Sequence, residues 1–140
     1  FNNFKILIYK KNIMIKEIKS SEAKQFFQDN SNSVLLDVRT ENEWKTEGKP
    51  KTSEFNLKTH FITVSYDLSN WQEADPSFVE KVKKEIKKDN QILVMCAAGG
   101  RSMIAAKLLN EAGFVAHNLS DGYNGNGQDP GWKNTGLPTE

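Results

Sequence analysis

Cysteine is nearly missing from this chain: Cys96 is the only one among 140 residues. One cysteine excludes an intramolecular disulfide framework and a cysteine-rich metal centre, and it fits a reducing compartment, the cytoplasm. No metal and no cofactor is expected. Charge of one sign is lacking too. The 19 Lys and Arg against 18 Asp and Glu leave a net +1, so there is no global field calling for nucleic acid or an anionic membrane. No apolar run approaches the roughly 20 residues needed to span a bilayer. The N-terminal segment Phe1 to Ile13 has a short apolar stretch but no small-residue cleavage site behind it and is not read as a secretory signal. The chain starts at Phe1, so Met14 is read as the natural initiator, with residues 1–13 a non-native or upstream extension and 14–140 one domain.

What is present reads as strands alternating with helices. Ile13 to Ile18 alternates as a short strand. Ser20 or Ser21 is placed to cap a helix carrying Ala23, Phe26 and Phe27 and ending near Asn30. Val34 to Val38 is an apolar run broken by one acid, the pattern of a buried parallel strand. Thr40 and Glu43 form a capping box that starts a helix running past Trp44. Gly48 to Thr59 is polar and irregular, Phe61 to Val64 reads as a strand, and Ser69 to Glu73 as loop. Asp75-Pro76 opens a helix with Phe78, Val79, Val82 and Ile86 on one stripe. Its lysines, Lys81 to Lys88, are read as a solvated face, with a docking surface for an acidic partner or anionic substrate as the alternative. Gln91 to Met95 is a strand, Ser102 to Ala112 a helix closed by Gly113, and Val115 to Leu119 a last strand. From Asp121 onward the chain, rich in Gly, Asn and Pro, is expected to wrap the surface. The alternation predicts an α/β domain with a mainly parallel sheet, whose ligands bind beyond the carboxyl ends of the strands. Cys96 and Asp37-Val38-Arg39 both fall at such ends.

The chemistry concentrates in Cys96-Ala97-Ala98-Gly99-Gly100-Arg101-Ser102. A strand ends at the thiol and a helix begins a few residues on. A turn of this kind can aim several amides at one sulfur, and the helix N-terminus adds partial positive charge; both favour an anionic sulfur. Gly99 and Gly100 allow the positive φ that a curled loop requires. Ala97 and Ala98 add no competing charge. Arg101 can brace the loop or bind an oxyanion, and Ser102 can cap the helix or donate one more hydrogen bond. The alternative for Cys96 is an inert buried thiol, but a plain turn does not need two glycines and an arginine.

These residues resemble a known family. Leu35 to Trp44, with its Asp37-x-Arg39 segment, Cys96 to Ser102, Asn118-Leu-Ser-Asp-Gly122-Tyr123 and Gly131-Trp132 to Pro138 follow in the order seen in single-domain rhodaneses, which are sulfurtransferases. The resemblance implies a three-layer domain with a five-stranded, mainly parallel central sheet flanked by helices. It also implies a two-step relay: Cys96 takes the outer sulfur of thiosulfate or a persulfide, and a thiol, cyanide or a protein acceptor removes it. Amides of Ala97 to Arg101 would stabilise the sulfur anion. Asp37 and Arg39 are expected to brace the loop, by bonding its backbone or Arg101, or else Asp37 merely satisfies backbone amides at a strand end. Glu43 is read as a capping acid, Trp44 and Trp132 as packing, and His60 and His117 as structural. The stretch after the first helix departs from the family's Gly-His-Ile-Pro-Gly-Ala-like pattern, being Gly48-Lys-Pro-Lys-Thr-Ser-Glu-Phe-Asn here, which bears on the rim of the site.

Two other classes compete. A phosphatase or arsenate reductase places five residues between cysteine and arginine to surround a tetrahedral oxyanion; here there are four, and an arsenate reductase that resolves through disulfides would want further cysteines. A persulfide carrier or a non-catalytic binding module for a partner protein is the other, and retention of the cysteine argues against an inert module.

Overall fold

A computed structural model describes residues 15–65 and 75–140. The chain order is β1 (Glu17–Ile18), α1 (Ser20–Asp29), β2 (Ser33–Asp37), α2 (Glu41–Glu47), β3 (Thr59–Phe61), α3 (Ser77–Glu85), β4 (Gln91–Met95), α4 (Gly100–Glu111) and β5 (Val115–Leu119), with single 3₁₀ turns at Ser53–Phe55 and Trp132–Asn134. The five strands form one sheet in the order β1-β5-β4-β2-β3, every pair parallel. No helix among the described residues is long and apolar enough to cross a membrane.

The continuous apolar runs of β2 and β4 are explained by burial on both faces. Successive side chains of a strand point to opposite sides. Val34, Leu36, Ile92 and Val94 therefore join Val82 and Ile86 beside α3 and Ala105 and Leu109 from α4. Leu35, Leu93 and Met95 turn the other way, onto Ala23, Phe26 and Phe27 of α1 and onto Trp132. Three layers result, and large side chains buried this way contribute about 1.5–3 kcal/mol each.

The differences from the sequence reading are local. In the strand expected over Ile13 to Ile18, only Glu17–Ile18 pairs among the described residues. The N-cap of α1 is Lys19. Ser20, instead of capping, donates its amide and its hydroxyl to Asp121 Oδ1, both at 2.9 Å. β3 starts at Thr59 and ends at Phe61, the first residue of the Phe61–Val64 run, but Ile62 and Val64 still donate to the carbonyls of Asp37 and Val38, so the rest of the run stays beside β2 outside the strand. The N-cap of α3 is Pro76 rather than Asp75, although Asp75, one residue before it, accepts from the Ser77 amide at 2.9 Å. The loop expected over Ser69–Glu73 lies outside the described residues. The segment after β5 is not only a wrap: Asp121, Tyr123 and Trp132 are buried. Asp121 accounts for this, since its two oxygens hold Ser20 and the Gly131 amide and so tie the segment to α1.

Candidate active site

β4 runs through the middle of the sheet between β5 and β2, and Cys96 is the first residue beyond it. The thiol is 1% exposed. It is not sealed in hydrocarbon, however: the Gly99 amide donates to Sγ at 3.1 Å, and Ser102 Oγ lies 3.2 Å from it. Several converging amides were expected; among the described residues, Gly99 supplies the amide that reaches the sulfur. Gly99 has φ +99°, and a Cβ there would come within 2.3 Å of the Ser120 carbonyl oxygen. Gly100, expected to share the left-handed turn, instead begins α4, and a Cβ on it would meet nothing within 4 Å. α4 thus starts two residues before Ser102, and its N-cap is Gly99. Ser102 is buried and faces the sulfur rather than capping the helix.

Behind Ser102 stands a residue that sequence reasoning missed as a site residue. Ser102 donates its hydroxyl to Asn118 Oδ1. Asn118 Nδ2 donates to the Gly99 carbonyl and to Glu17 Oε1, each at 3.1 Å. Those two acceptors fix which way the amide faces, so its oxygen must point at Ser102. Asn118 thereby ties β5 and β1 to both groups that touch the sulfur. The second tie is main chain. Tyr123 donates its amide to the Cys96 carbonyl at 2.8 Å, and Asn124 to the Ala97 carbonyl at 2.9 Å. Gly122, at φ +61°, permits that approach, because a Cβ would come within 2.4 Å of the Ala97 oxygen.

Asp37 and Arg39 are both fully buried. They bond each other, Arg39 Nη2 to Asp37 Oδ2 at 2.9 Å and Nε to Oδ1 at 3.1 Å, and not the backbone of residues 97–101 or Arg101; Asp37 Oδ1 also accepts from the Arg39 amide at 3.0 Å, as the alternative reading of a strand-end acid had it. Arg39 also donates to the Gly48 carbonyl at 2.9 Å, and its guanidinium lies 4.1 Å from the centre of the Tyr123 ring. The pair thus lies against the ring of the tyrosine whose amide bonds the Cys96 carbonyl. Burial raises the Tyr123 pKa above its ordinary value. The atypical segment after α2 starts at Gly48 (φ +94°) and then bonds the C-terminus, with Lys49 and Glu140 exchanging both main-chain hydrogen bonds.

Arg101 makes a bidentate pair with Glu43, Nη1 to Oε1 at 2.7 Å and Nη2 to Oε2 at 2.8 Å. Glu43 does cap α2, as the capping box predicted. Its second role, 58 residues along the chain, was not foreseen. The Arg101 guanidinium holds the Glu43 carboxyl down at about 2, helped by the Thr40 amide. The remaining residues behave as expected. His60 pairs with Glu85 at 3.0 Å. His117 bonds Gln91 and the Lys16 amide, and burial lowers its pKa. Trp44 packs edge-on against Phe61, and Trp132 lies in the core.

A family model described as "STR4 middle domain" matches residues 16–140. A protein of Rickettsia prowazekii described only as uncharacterised is 35% identical over 127 residues, covering 90% of this chain and 98% of that one. Rhodanese-like domain-containing protein 14 of Arabidopsis thaliana, a chloroplastic protein, is 24% identical and covers 91% of this chain and 67% of its own. Among solved structures, Rv0390 from M. tuberculosis superposes with a TM-score of 0.74 at 28% identity, over 89% of this chain and 96% of that one.

Proposed function

The chain belongs to the STR4 middle-domain family and has a rhodanese-like fold, and on that footing we propose that it is a sulfurtransferase carrying a sulfane sulfur on Cys96. In the first half-reaction the Cys96 sulfur anion attacks the outer sulfur of a donor, thiosulfate being the simplest. The S–S bond of thiosulfate breaks, sulfite leaves with the bonding pair, and Cys96 becomes a persulfide. In the second, a thiol, cyanide or a protein thiol attacks the terminal sulfur and the Cys96 anion departs. No external oxidant or reductant enters, and two easier displacements replace one transfer.

The observation that carries this reading is the pair of groups on one sulfur, the Gly99 amide and the Ser102 hydroxyl, at the end of the central strand. The Gly99 amide is a donor fixed in advance, and such a donor stabilises charge on the sulfur without reorganising when it appears; the Ser102 proton goes to Asn118, so its oxygen accepts from the thiol before the proton leaves. Ala97, Ala98, Gly100 and Arg101 complete the loop around the transferred atom, and Asp37 and Arg39 hold it through Tyr123. A sulfur that is 1% exposed suits a donor that presents a single terminal atom. Intact-protein mass after incubation with thiosulfate or an organic persulfide tests the assignment. One added sulfur is expected on the wild type and none on Cys96→Ser, with the fold of that variant unchanged. An unmodified wild-type mass with both donors would refute it. Loading without appreciable turnover to cyanide would make the protein a persulfide carrier for one partner.

A further inference from the structure

The cation of the loop is already matched. Arg101 is the loop residue suited to an oxyanion, but its Nη1 and Nη2 both reach the carboxylate of Glu43. Two parallel charge-assisted hydrogen bonds are the strongest arrangement an arginine makes with a carboxylate. The pair is partly withdrawn from water, Arg101 27% and Glu43 18% exposed, so solvent does not erase its charge balance. Two more carboxylates lean on groups that hold the loop. Glu47 Oε1 accepts from Asn124 Nδ2 at 2.8 Å, and the Asn124 amide bonds Ala97. Glu17 accepts from Asn118. The arginine of the loop is thus paired with Glu43, and two further carboxylates bond residues that hold the loop.

From this balance we infer that Glu43 is a specificity-determining residue: by occupying Arg101 it adapts the site to singly charged organic sulfane donors, RS–S⁻ or RSO₂–S⁻, over the thiosulfate dianion. The inference rests on the sulfurtransferase reading and deepens it. Transfer is the same displacement in either case. Cys96 sulfur bonds the terminal sulfur of RSO₂–S⁻, the S–S bond of the donor breaks, and RSO₂⁻ leaves with the electron pair. What differs is the charge a donor brings to a loop whose arginine is already paired with Glu43. A dianion must either displace that carboxylate from Arg101 or sit against it, and like-charge juxtaposition opposes binding. With its pKa held near 2, Glu43 stays ionised at every pH where the thiol chemistry runs. Its capping role does not require the charge, since Gln serves in a capping box as well as Glu.

The test compares loading of Cys96 by thiosulfate and by benzenethiosulfonate, as second-order rate constants from intact mass, in wild type, Glu43→Gln and Glu43→Gln/Arg101→Gln. Glu43→Gln is expected to raise the thiosulfate-to-thiosulfonate ratio by about tenfold, the order seen when one charge contact of about 1.4 kcal/mol is unmasked. The double variant is expected to give most of that gain back, and added salt to shrink it. Loading of all three proteins with an unmoved ratio would overturn the role of Glu43 while leaving the sulfurtransferase reading intact. Failure of either donor to load any of them would overturn both.

Discussion

Adding one methyl group to Gly99 tests whether the turn, rather than the mere presence of a cysteine, makes the site. Gly99 has φ +99°, and an alanine Cβ would come within 2.3 Å of the Ser120 carbonyl oxygen. Holding a non-glycine residue in the left-handed region costs about 1–2 kcal/mol. The overlap is with main chain, so no side-chain rotation relieves it. Ordinary contact begins near 3.4 Å, and reaching it from 2.3 Å requires a shift of 1.1 Å between the loop and the end of β5. Overpacking of this kind costs about 1–3 kcal/mol, so Gly99→Ala is expected to lose about 2–5 kcal/mol in urea unfolding. The same shift draws the amide off a sulfur it now reaches at 3.1 Å. Loss of one such donor typically slows an enzyme by about 10²–10³, and Cys96 loading should fall by about that factor under conditions where the variant is still folded. Gly100→Ala is the control. Its Cβ would meet nothing within 4 Å, and alanine in a helix is favoured over glycine by about 1 kcal/mol, so stability should hold or rise and loading should persist. Equal behaviour of the two alanine variants, in stability and in loading, would refute the argument from the turn.

Other perturbations reach the same frame from different sides. Arg39→Met leaves Asp37 buried without its cation and should cost about 3–5 kcal/mol in urea unfolding, whereas Asp37→Leu/Arg39→Met should cost less than the single change; an equal or larger loss in the double variant would show that packing, not charge, sets the effect. Ser102→Ala and Asn118→Ala should each slow Cys96 loading, and the double variant should be little slower than either, because Asn118 acts on the sulfur through Ser102; fully multiplicative losses would separate the two residues. The acid limb of stability should carry a contribution from Glu43. Its carboxyl lies at about 2 in the folded chain against an ordinary 4.5, so the contribution is whole above pH 4.5 and is lost as pH falls toward 2. Glu43→Gln should remove that part of the slope, and an unchanged acid limb would contradict the Arg101 pairing.

What the sequence made readable was what neighbours in the chain decide. The Thr40–Glu43 capping box and the runs of β2 and β4 were legible because their determinants lie within a few residues. The loop was legible as chemistry because a cysteine, two glycines and an arginine are seldom adjacent without a use. Its wiring was not. Arg101 meets Glu43 across 58 residues, Ser102 meets Asn118 across 16, and Ser20 meets Asp121 across 101. An asparagine in a strand or a serine at a helix start carries no local mark of such a partner. Ser20 shows the point most directly: its type suits an N-cap, and a distant aspartate claimed both its amide and its hydroxyl. Gly100 failed for the opposite reason, since a glycine's permission to take positive φ does not say that it will.

The grip on residues 96 and 97 comes from Tyr123 and Asn124, and the alignment of Ser102 from Asn118. A ribosome delivers Cys96 some two dozen residues ahead of the parts that fix its surroundings. During synthesis the thiol is an unrestrained cysteine, and the groups around it are fixed only when the last strand and the turn beyond it close over the sheet. Completion of the fold and fixing of the sulfur are one event, so a truncated or nicked C-terminal third is expected to leave Cys96 without the contacts that now surround it.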